Sequence, residues 1–121
     1  ANNPYIATNS MAQNKADEDF LNKALRFVEK NMDNSEYSVD ELSDDMAMSR
    51  ATLFRKMRSV IGMSPTDFIR NTRLKRAAQL ITEGRLSVTE IAYSVGYSSP
   101  GHFTKSFKKE FGVLPTQYHK T

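Results

Sequence analysis

The sequence contains no cysteine, which excludes disulfide bonds and any metal site built on thiolates. It has only two histidines, His102 and His119, and no pattern of serine, histidine and acid residues indicates a catalytic triad. A glycine-rich loop of the kind that binds phosphate groups is also missing. We therefore predict that the protein is not an enzyme and that it needs neither a cofactor nor a metal ion.

Long apolar runs are lacking as well, since no stretch approaches the roughly 20 residues that a membrane-spanning helix requires. The first residues are polar and show no apolar core of a signal peptide. We expect residues 1–16 to form a flexible linker. These features predict a cytoplasmic location, although a larger parent protein is compatible with membrane anchoring.

Charge is distributed unevenly along the chain. The formal net charge is +3, but residues 1–48 carry 4 basic and 10 acidic side chains, whereas residues 49–121 carry 13 basic and 4 acidic ones. A basic half favours a polyanionic partner. The alternative is an ordinary solvated surface with uneven charge.

An internal repeat identifies the architecture. Residues 38–49 read SVDELSDDMAMS and residues 87–98 read SVTEIAYSVGYS, and each copy opens with the Ser-x-x-Glu pattern of a helix capping box. After a one-residue insertion, four-residue apolar spacing follows in both copies and ends at a glycine. A short helix, a turn and a second amphipathic helix make a helix-turn-helix. The sequence thus predicts an all-α fold of about seven helices with two helix-turn-helix subdomains.

The predicted boundaries are a first lobe at 17–63, a linker helix at 64–83 and a second lobe at 84–121. A helix of about 18 residues is roughly 27 Å long, which is comparable to the spacing of successive major-groove faces of DNA, near 34 Å. Its polar face is expected to carry the basic side chains of Arg70, Arg73, Lys75 and Arg76.

In the first copy, the apolar spacing points Leu53, Met57 and Ile61 inward. The side chains expected to project outward as DNA contacts are Arg50, Ala51, Phe54, Arg55 and Arg58. Arg55 suits a bidentate pair with guanine, and Ala51 or Phe54 suits a thymine methyl group. Arg50 and Arg58 are better placed for phosphates. For Phe54, a partly buried position at the rim of the core stays open as an alternative.

In the second copy, the phenylalanines at 103, 107 and 111 are expected to form core rather than a stacking platform. The outward candidates for DNA contact are Gly101, Thr104, Lys105 and Lys108. Thr104 and Lys105 suit base edges, Lys108 suits a phosphate, and Gly101 permits a close backbone approach. This set has no arginine, which predicts weaker base discrimination than in the first copy.

These motifs resemble the DNA-binding domain of the AraC/XylS family of bacterial transcription regulators. The similarity rests on Arg73-Leu74-x-x-Ala77 and on residues 87–118, and it extends over about residues 20–119. It implies seven helices, with two helix-turn-helix lobes joined by a long linker helix.

The resemblance also implies roles for individual residues, position by position. Ala51, Phe54 and Arg55 match base-contacting positions of the family's first recognition helix. The matches in the second recognition helix are Gly101, Thr104 and Lys105, and Arg73 matches an arginine of the linker helix.

Three positions depart from the family pattern. Ala47 stands where the first turn usually has glycine, which predicts a slightly strained turn. Met57 replaces a phenylalanine, which a core tolerates. Lys105 stands where arginine is common, which weakens the expectation of guanine recognition by the second lobe.

Residues 49–78 are similar to the C-terminal output domains of hybrid two-component sensors of Bacteroides-type bacteria, while a small free-standing regulator is the alternative. Double-stranded DNA is the predicted partner, and RNA is a weaker variant because no exposed aromatic stripe is evident. A protein-interaction module that contacts RNA polymerase through the acidic first helix stays open. We expect the isolated domain to be a monomer and its parent to be a dimer.

Overall fold

The computed structural model describes residues 15–118 of the 121-residue chain. The helices, in chain order, are α1 (Lys15–Lys30), α2 (Val39–Asp45), α3 (Arg50–Ile61), α4 (Pro65–Glu83), α5 (Val88–Ser94), α6 (Pro100–Phe111) and a 3₁₀ helix (Pro115–Gln117). The described residues form no strand, so the predicted all-α fold of about seven helices is confirmed. Within this range no helix is long and apolar enough to cross a membrane.

Most of the predicted linker, residues 1–14, lies outside the described residues. Its last two residues, Lys15 and Ala16, form the start of α1 instead. Asp17 and Glu18 stand in the first turn of this helix, where carboxylates interact favourably with the helix dipole. The helical periodicity expected from about residue 17 is therefore present and begins two residues earlier.

Serine hydroxyl groups cap the N-termini of α3 and α6. Ser49 accepts a hydrogen bond from the Thr52 amide at 3.1 Å, and Ser99 accepts one from the His102 amide at 3.2 Å. Each of these caps satisfies one of the amide groups that a helix leaves free at its N-terminus. The same two helices end at Gly62 and Gly112, both of which have left-handed backbone conformations.

The two predicted capping boxes differ in detail. In α5, Ser87 accepts from the Glu90 amide at 3.1 Å while the Glu90 carboxylate accepts from the Ser87 amide at 2.9 Å. In α2, the Glu41 carboxylate accepts from both the amide and the hydroxyl of Ser38, at 2.8 and 2.5 Å. These hydrogen bonds lower the pKa of both glutamates.

The chain divides into two compact units. The first unit comprises residues 15–31 and 37–69, and the second unit comprises residues 32–36 and 70–118, within the described range. The division falls inside α4, between Ile69 and Arg70. The middle of the segment that links α1 to α2, residues 32–36, thus belongs to the second unit, although both helices belong to the first.

Each unit has its own hydrophobic core. In the first unit, α2 packs against α1 and α3 around buried side chains that include Leu21, Leu42, Leu53, Met57 and Phe68. In the second unit, α5 packs against α6 around a core that includes Leu74, Ile91, Val95, Phe103 and Phe107. Burial of these stripes is what fixes which side of α3 and of α6 faces solvent.

Candidate nucleic-acid interface

Helix α3 is the second helix of the first helix-turn-helix and presents one exposed face. Leu53 and Met57 are fully buried, so the positions between them are forced outward. The predicted contacts on this helix are all exposed: Arg50, Ala51, Phe54, Arg55 and Arg58. The helix has no acidic residue, which leaves the exposed face with donors and positive charge.

Phe54 is the apolar member of this face. Its side chain is 46% exposed, which agrees both with the predicted contact to a thymine methyl group and with the alternative of a partly buried position at the rim of the core. The guanidinium carbon of Arg58 lies 5.2 Å from the centre of the Phe54 ring, within the range of a cation–π contact. The two residues are one helical turn apart and form a pair on the exposed face.

Arg50 has an ion-pair partner that the sequence analysis did not identify. Its Nε lies 3.1 Å from Oδ1 of Asp40 in the first turn of α2, and both side chains are well exposed. An exposed pair of this kind contributes little to stability. A phosphate group at Arg50 would bind the remaining guanidinium donors beside this carboxylate or would take its place.

Helix α6 occupies the corresponding place in the second unit. Phe103 and Phe107 are fully buried, and the Phe107 ring contacts Phe111 and Tyr118 with centroid distances of 4.5 and 5.5 Å. The predicted interpretation of this stripe as core is confirmed for Phe103 and Phe107, and Phe111 is partly buried against them. The candidates Gly101, Lys105 and Lys108 are exposed, and Thr104 is half-buried.

The turns before the two recognition helices differ as the sequence predicts. Ala47 has a φ of +56°. This is a left-handed backbone conformation, which costs a residue with a Cβ about 1–2 kcal/mol. Gly96 has a φ of +91° at the equivalent place. A Cβ added to Gly96 would overlap the Arg73 guanidinium and would lie 2.5 Å from the Met32 carbonyl oxygen.

Arg73 does not lie on the polar face of α4, and this part of the sequence prediction is wrong. The residue is only 6% exposed. Its guanidinium donates to the backbone carbonyl of Val95 at 3.1 Å and to that of Asn34 at 3.0 Å. Burial lowers the pKa of Arg73, but a guanidinium group stays protonated in proteins.

The spacing of α4 contained a signal for this burial. Arg73 precedes Leu74 and stands four residues before Ala77, within the same stripe as the apolar residues. Nothing in the sequence indicates the groups that accept hydrogen bonds from Arg73, because both are backbone carbonyls of residues far away in the sequence. Ordinary sequence reasoning assigns an arginine to the solvent side of a helix.

Comparison with known proteins agrees with this geometry. A family model described as a helix-turn-helix domain matches residues 42–121. A solved transcriptional regulator from Chromobacterium violaceum, with an AraC-type DNA-binding domain, superposes with a TM-score of 0.76 at 27% identity, covering 86% of this chain and 92% of that one. This chain belongs to the AraC/XylS family. It is a helix-turn-helix DNA-binding domain of the type found in transcription regulators.

Two further similarities concern the context of this AraC/XylS-family domain. The DNA-binding domain of AdpA, a global transcriptional factor solved in complex with a target DNA, has a TM-score of 0.73 at 26% identity and covers 80% of this chain and 86% of that one. Histidine kinase P4 of Formosa agariphila is 38% identical over 118 residues, which are 98% of this chain and 9% of that protein. The chain spans 9 to 42% of the length of the first curated relatives that it matches.

Proposed function

We propose that this domain binds double-stranded DNA sequence-specifically with two recognition helices, α3 and α6, in adjacent major grooves, and thereby regulates transcription. The observation that carries the proposal is the shared design of the two helices. In each, an apolar stripe with two fully buried residues leaves a face with exposed cations. Helix α3 has no acidic residue, and α6 has only Glu110 near its end. Such a face suits the major groove, where base edges present distinct hydrogen-bonding patterns.

The proposed contacts divide into those that read bases and those that bind phosphates. On α3, Arg55 pairs with guanine, Ala51 and Phe54 contact apolar base edges, and Arg50 and Arg58 bind the backbone. On α6, the proposed contacts are Gly101, Thr104 and Lys105 at base edges and Lys108 at a phosphate. Arginine forms the bidentate guanine pair that lysine imitates only as a point charge, so α3 is the more discriminating helix.

Arg73 stands apart from these residues. Its burial and its two backbone hydrogen bonds support a positioning role within the second unit in place of a direct DNA contact. In this role Arg73 acts through α6, since it holds the carbonyl of Val95 directly before the turn that leads to that helix.

Selection of bound duplexes from a random pool tests the proposal. We expect two short conserved blocks about one helical turn apart, near 10 base pairs. Inserting about five base pairs between the blocks puts them on opposite sides of the duplex and reduces the affinity to that of a single block. Recovery of one block only, or of no preferred sequence, would contradict binding by both helices.

Salt dependence is a second, independent measurement. The logarithm of the affinity is expected to fall by about 0.9 per neutralised phosphate for each tenfold rise in salt. Replacing Lys108 by alanine removes one phosphate contact, so the slope becomes shallower by about 1. If the slope of log affinity against log salt is unchanged, Lys108 does not contact a phosphate.

We further propose that the domain is the output module of a larger two-component sensor. The alignment with histidine kinase P4 supports this, since it covers 98% of this chain at 38% identity and only 9% of that protein. An antibody raised against this domain is expected to detect, in the source cells, a native protein many times its mass. Detection of a small protein instead would favour a free-standing regulator.

A further inference from the structure

An exposed aromatic ring on the recognition helix of the first unit requires a physical explanation. Phe54 is one of three large apolar side chains that the structure leaves exposed among residues 15–118, and the other two, Leu86 and Tyr93, lie outside α3 and α6. Every other exposed neighbour on this face is small, as Ala51 is, or cationic, as Arg55 is. A ring in this place gains stability when an apolar surface covers it.

A stacked duplex offers few apolar surfaces in its major groove. The faces of the bases are covered by stacking, and the base edges present hydrogen-bonding groups. The exception is the methyl group on C5 of thymine, which projects into the groove. The group that Phe54 can contact in the major groove is therefore the methyl group of a 5-methylpyrimidine base.

Arg58 supplies the second part of the argument. Its guanidinium lies 5.2 Å from the centre of the Phe54 ring. A cation–π contact of this kind favours one arrangement of the two exposed side chains, and it places a positive charge beside the ring. The ring is thus held in position by a residue that was expected to serve only as a phosphate contact.

The second unit provides an internal contrast. Four-residue spacing from the buried phenylalanines aligns Thr104 with Phe54 and Lys108 with Arg58. Thr104 is half-buried and has a single methyl group, and no ring stands at this place for Lys108 to cover. The paired arrangement is specific to α3.

We propose that Phe54 is a thymine-methyl sensor and that Arg58 positions its ring for that contact. The proposal rests on the proposed function, because it assumes that α3 enters the major groove. It assigns the thymine methyl contact to Phe54 and not to Ala51, and it gives Arg58 a role in specificity.

The test uses the full 121-residue chain and a duplex selected from a random pool. Each thymine of the block bound by α3 is replaced in turn by deoxyuridine, which removes the methyl group and nothing else. For at least one position we expect the affinity of the wild-type protein to fall about three- to fivefold, the effect of one buried methyl group. Phe54→Ala is expected to bind the thymine and deoxyuridine duplexes equally.

Two further variants separate the roles. Arg58→Ala is expected to reduce the thymine preference as well as the overall affinity, because the ring loses its support. The matched control, Thr104→Ala, keeps the full preference at the α3 block. Since Phe54 and Arg58 are exposed, we expect these variants to keep the thermal unfolding midpoint of the wild type, and this is checked first.

Replacing cytosine by 5-methylcytosine at the same position distinguishes the methyl group from the rest of the thymine base. A gain that requires Phe54 shows that the methyl group alone is read. No gain shows that the thymine base as a whole is required, which contradicts methyl sensing by Phe54.

The remaining outcomes are equally distinct. Equal binding of thymine and deoxyuridine duplexes by the wild type overturns the inference while sequence-specific binding stands. A deoxyuridine penalty that persists in Phe54→Ala assigns the methyl contact to another residue and also overturns it. Failure to select any preferred duplex overturns the proposed function itself.

Discussion

The two units build the same motif and hold it in different ways. Both use a serine cap and a four-residue apolar stripe on the recognition helix, followed by a left-handed glycine at its end. In the first unit, the Tyr37 hydroxyl donates to Asp45 at 2.7 Å and ties the end of α2 to the segment before it. In the second unit, Arg73 binds the carbonyl that precedes Gly96. The helix-turn-helix motif does not dictate which contact stabilises its turn. A substitution that destabilises one unit is therefore not expected to have an equivalent in the other.

The chemistry of the two exposed faces differs in the same manner. The α3 face has three arginines and an exposed ring, whereas the α6 face has lysines, a threonine and a glycine. Arginine provides a planar fork of donors, whereas lysine provides a compact charge. We therefore expect α3 to discriminate between sequences and α6 to contribute mostly affinity.

The largest expected difference lies in the turns. Gly96→Ala should lower the free energy of unfolding by about 4 kcal/mol, because the new Cβ strains the backbone and displaces Arg73. Ala47→Gly should have the opposite sign and raise it by about 0.5 kcal/mol, since it relieves a left-handed alanine at some entropic cost. Urea denaturation of both variants checks this, and a shared sign would refute the comparison.

The next effect concerns Arg73. Arg73→Met leaves two backbone carbonyls without their donor and should cost about 3 kcal/mol of unfolding free energy. The matched control on the same helix is Arg76→Met, which replaces an exposed guanidinium that contacts Gln79 and Glu83 at the surface and should change stability by less than about 0.5 kcal/mol.

Amide chemical shifts sharpen the result for Arg73. In Arg73→Met we expect the changes to be concentrated in residues 32–36 and 94–104. If DNA affinity falls while stability and these shifts stay unchanged, Arg73 is a direct DNA contact after all.

A smaller effect separates the two reading faces. Arg55→Ala should reduce the preference for the selected duplex over a scrambled one by about 2 kcal/mol, the value of a bidentate guanine pair. Lys105→Ala should reduce that preference by less than about 1 kcal/mol. Fluorescence anisotropy on both duplexes measures the two preferences, and equal losses would mean that the units discriminate alike.

The smallest effect concerns the capping boxes. Ser87→Ala removes an acceptor for the Glu90 amide and should cost about 1 kcal/mol. Ser38→Ala should cost about half as much or less, since the Ser38 hydroxyl donates to Glu41 and caps no amide. Thermal unfolding of the two variants decides the point, and a larger loss for Ser38→Ala would reverse the assignment.

Sequence reasoning went furthest where local chemistry decides the structure. The two Ser-x-x-Glu boxes, and the apolar stripes that end at Gly62 and Gly112, were sufficient to predict both helix-turn-helix motifs, because caps and stops act on neighbouring residues. The strain at Ala47 was also predictable, since only the turn geometry matters there.

Contacts between distant parts of the sequence were harder to predict. The burial of Arg73, the pairing of Arg50 with Asp40 and the bond from Tyr37 to Asp45 depend on which segments fold together. A hydrogen bond to a backbone carbonyl cannot be predicted from the residue type of its acceptor, because every residue has a backbone carbonyl. The DNA contacts proposed for Arg55, Thr104 and Lys105 remain predictions, because exposure shows that these side chains are accessible and not what they bind.

The membership of residues 32–36 in the second unit has an evolutionary consequence. No uninterrupted stretch of gene encodes the second unit alone, so recombination within α4 would join Arg73 to a 32–36 segment from another lineage. Arg73 binds that segment through the backbone carbonyl of Asn34, a group that every residue type provides. Such a hybrid would therefore keep this hydrogen bond whatever side chain it inherits at position 34.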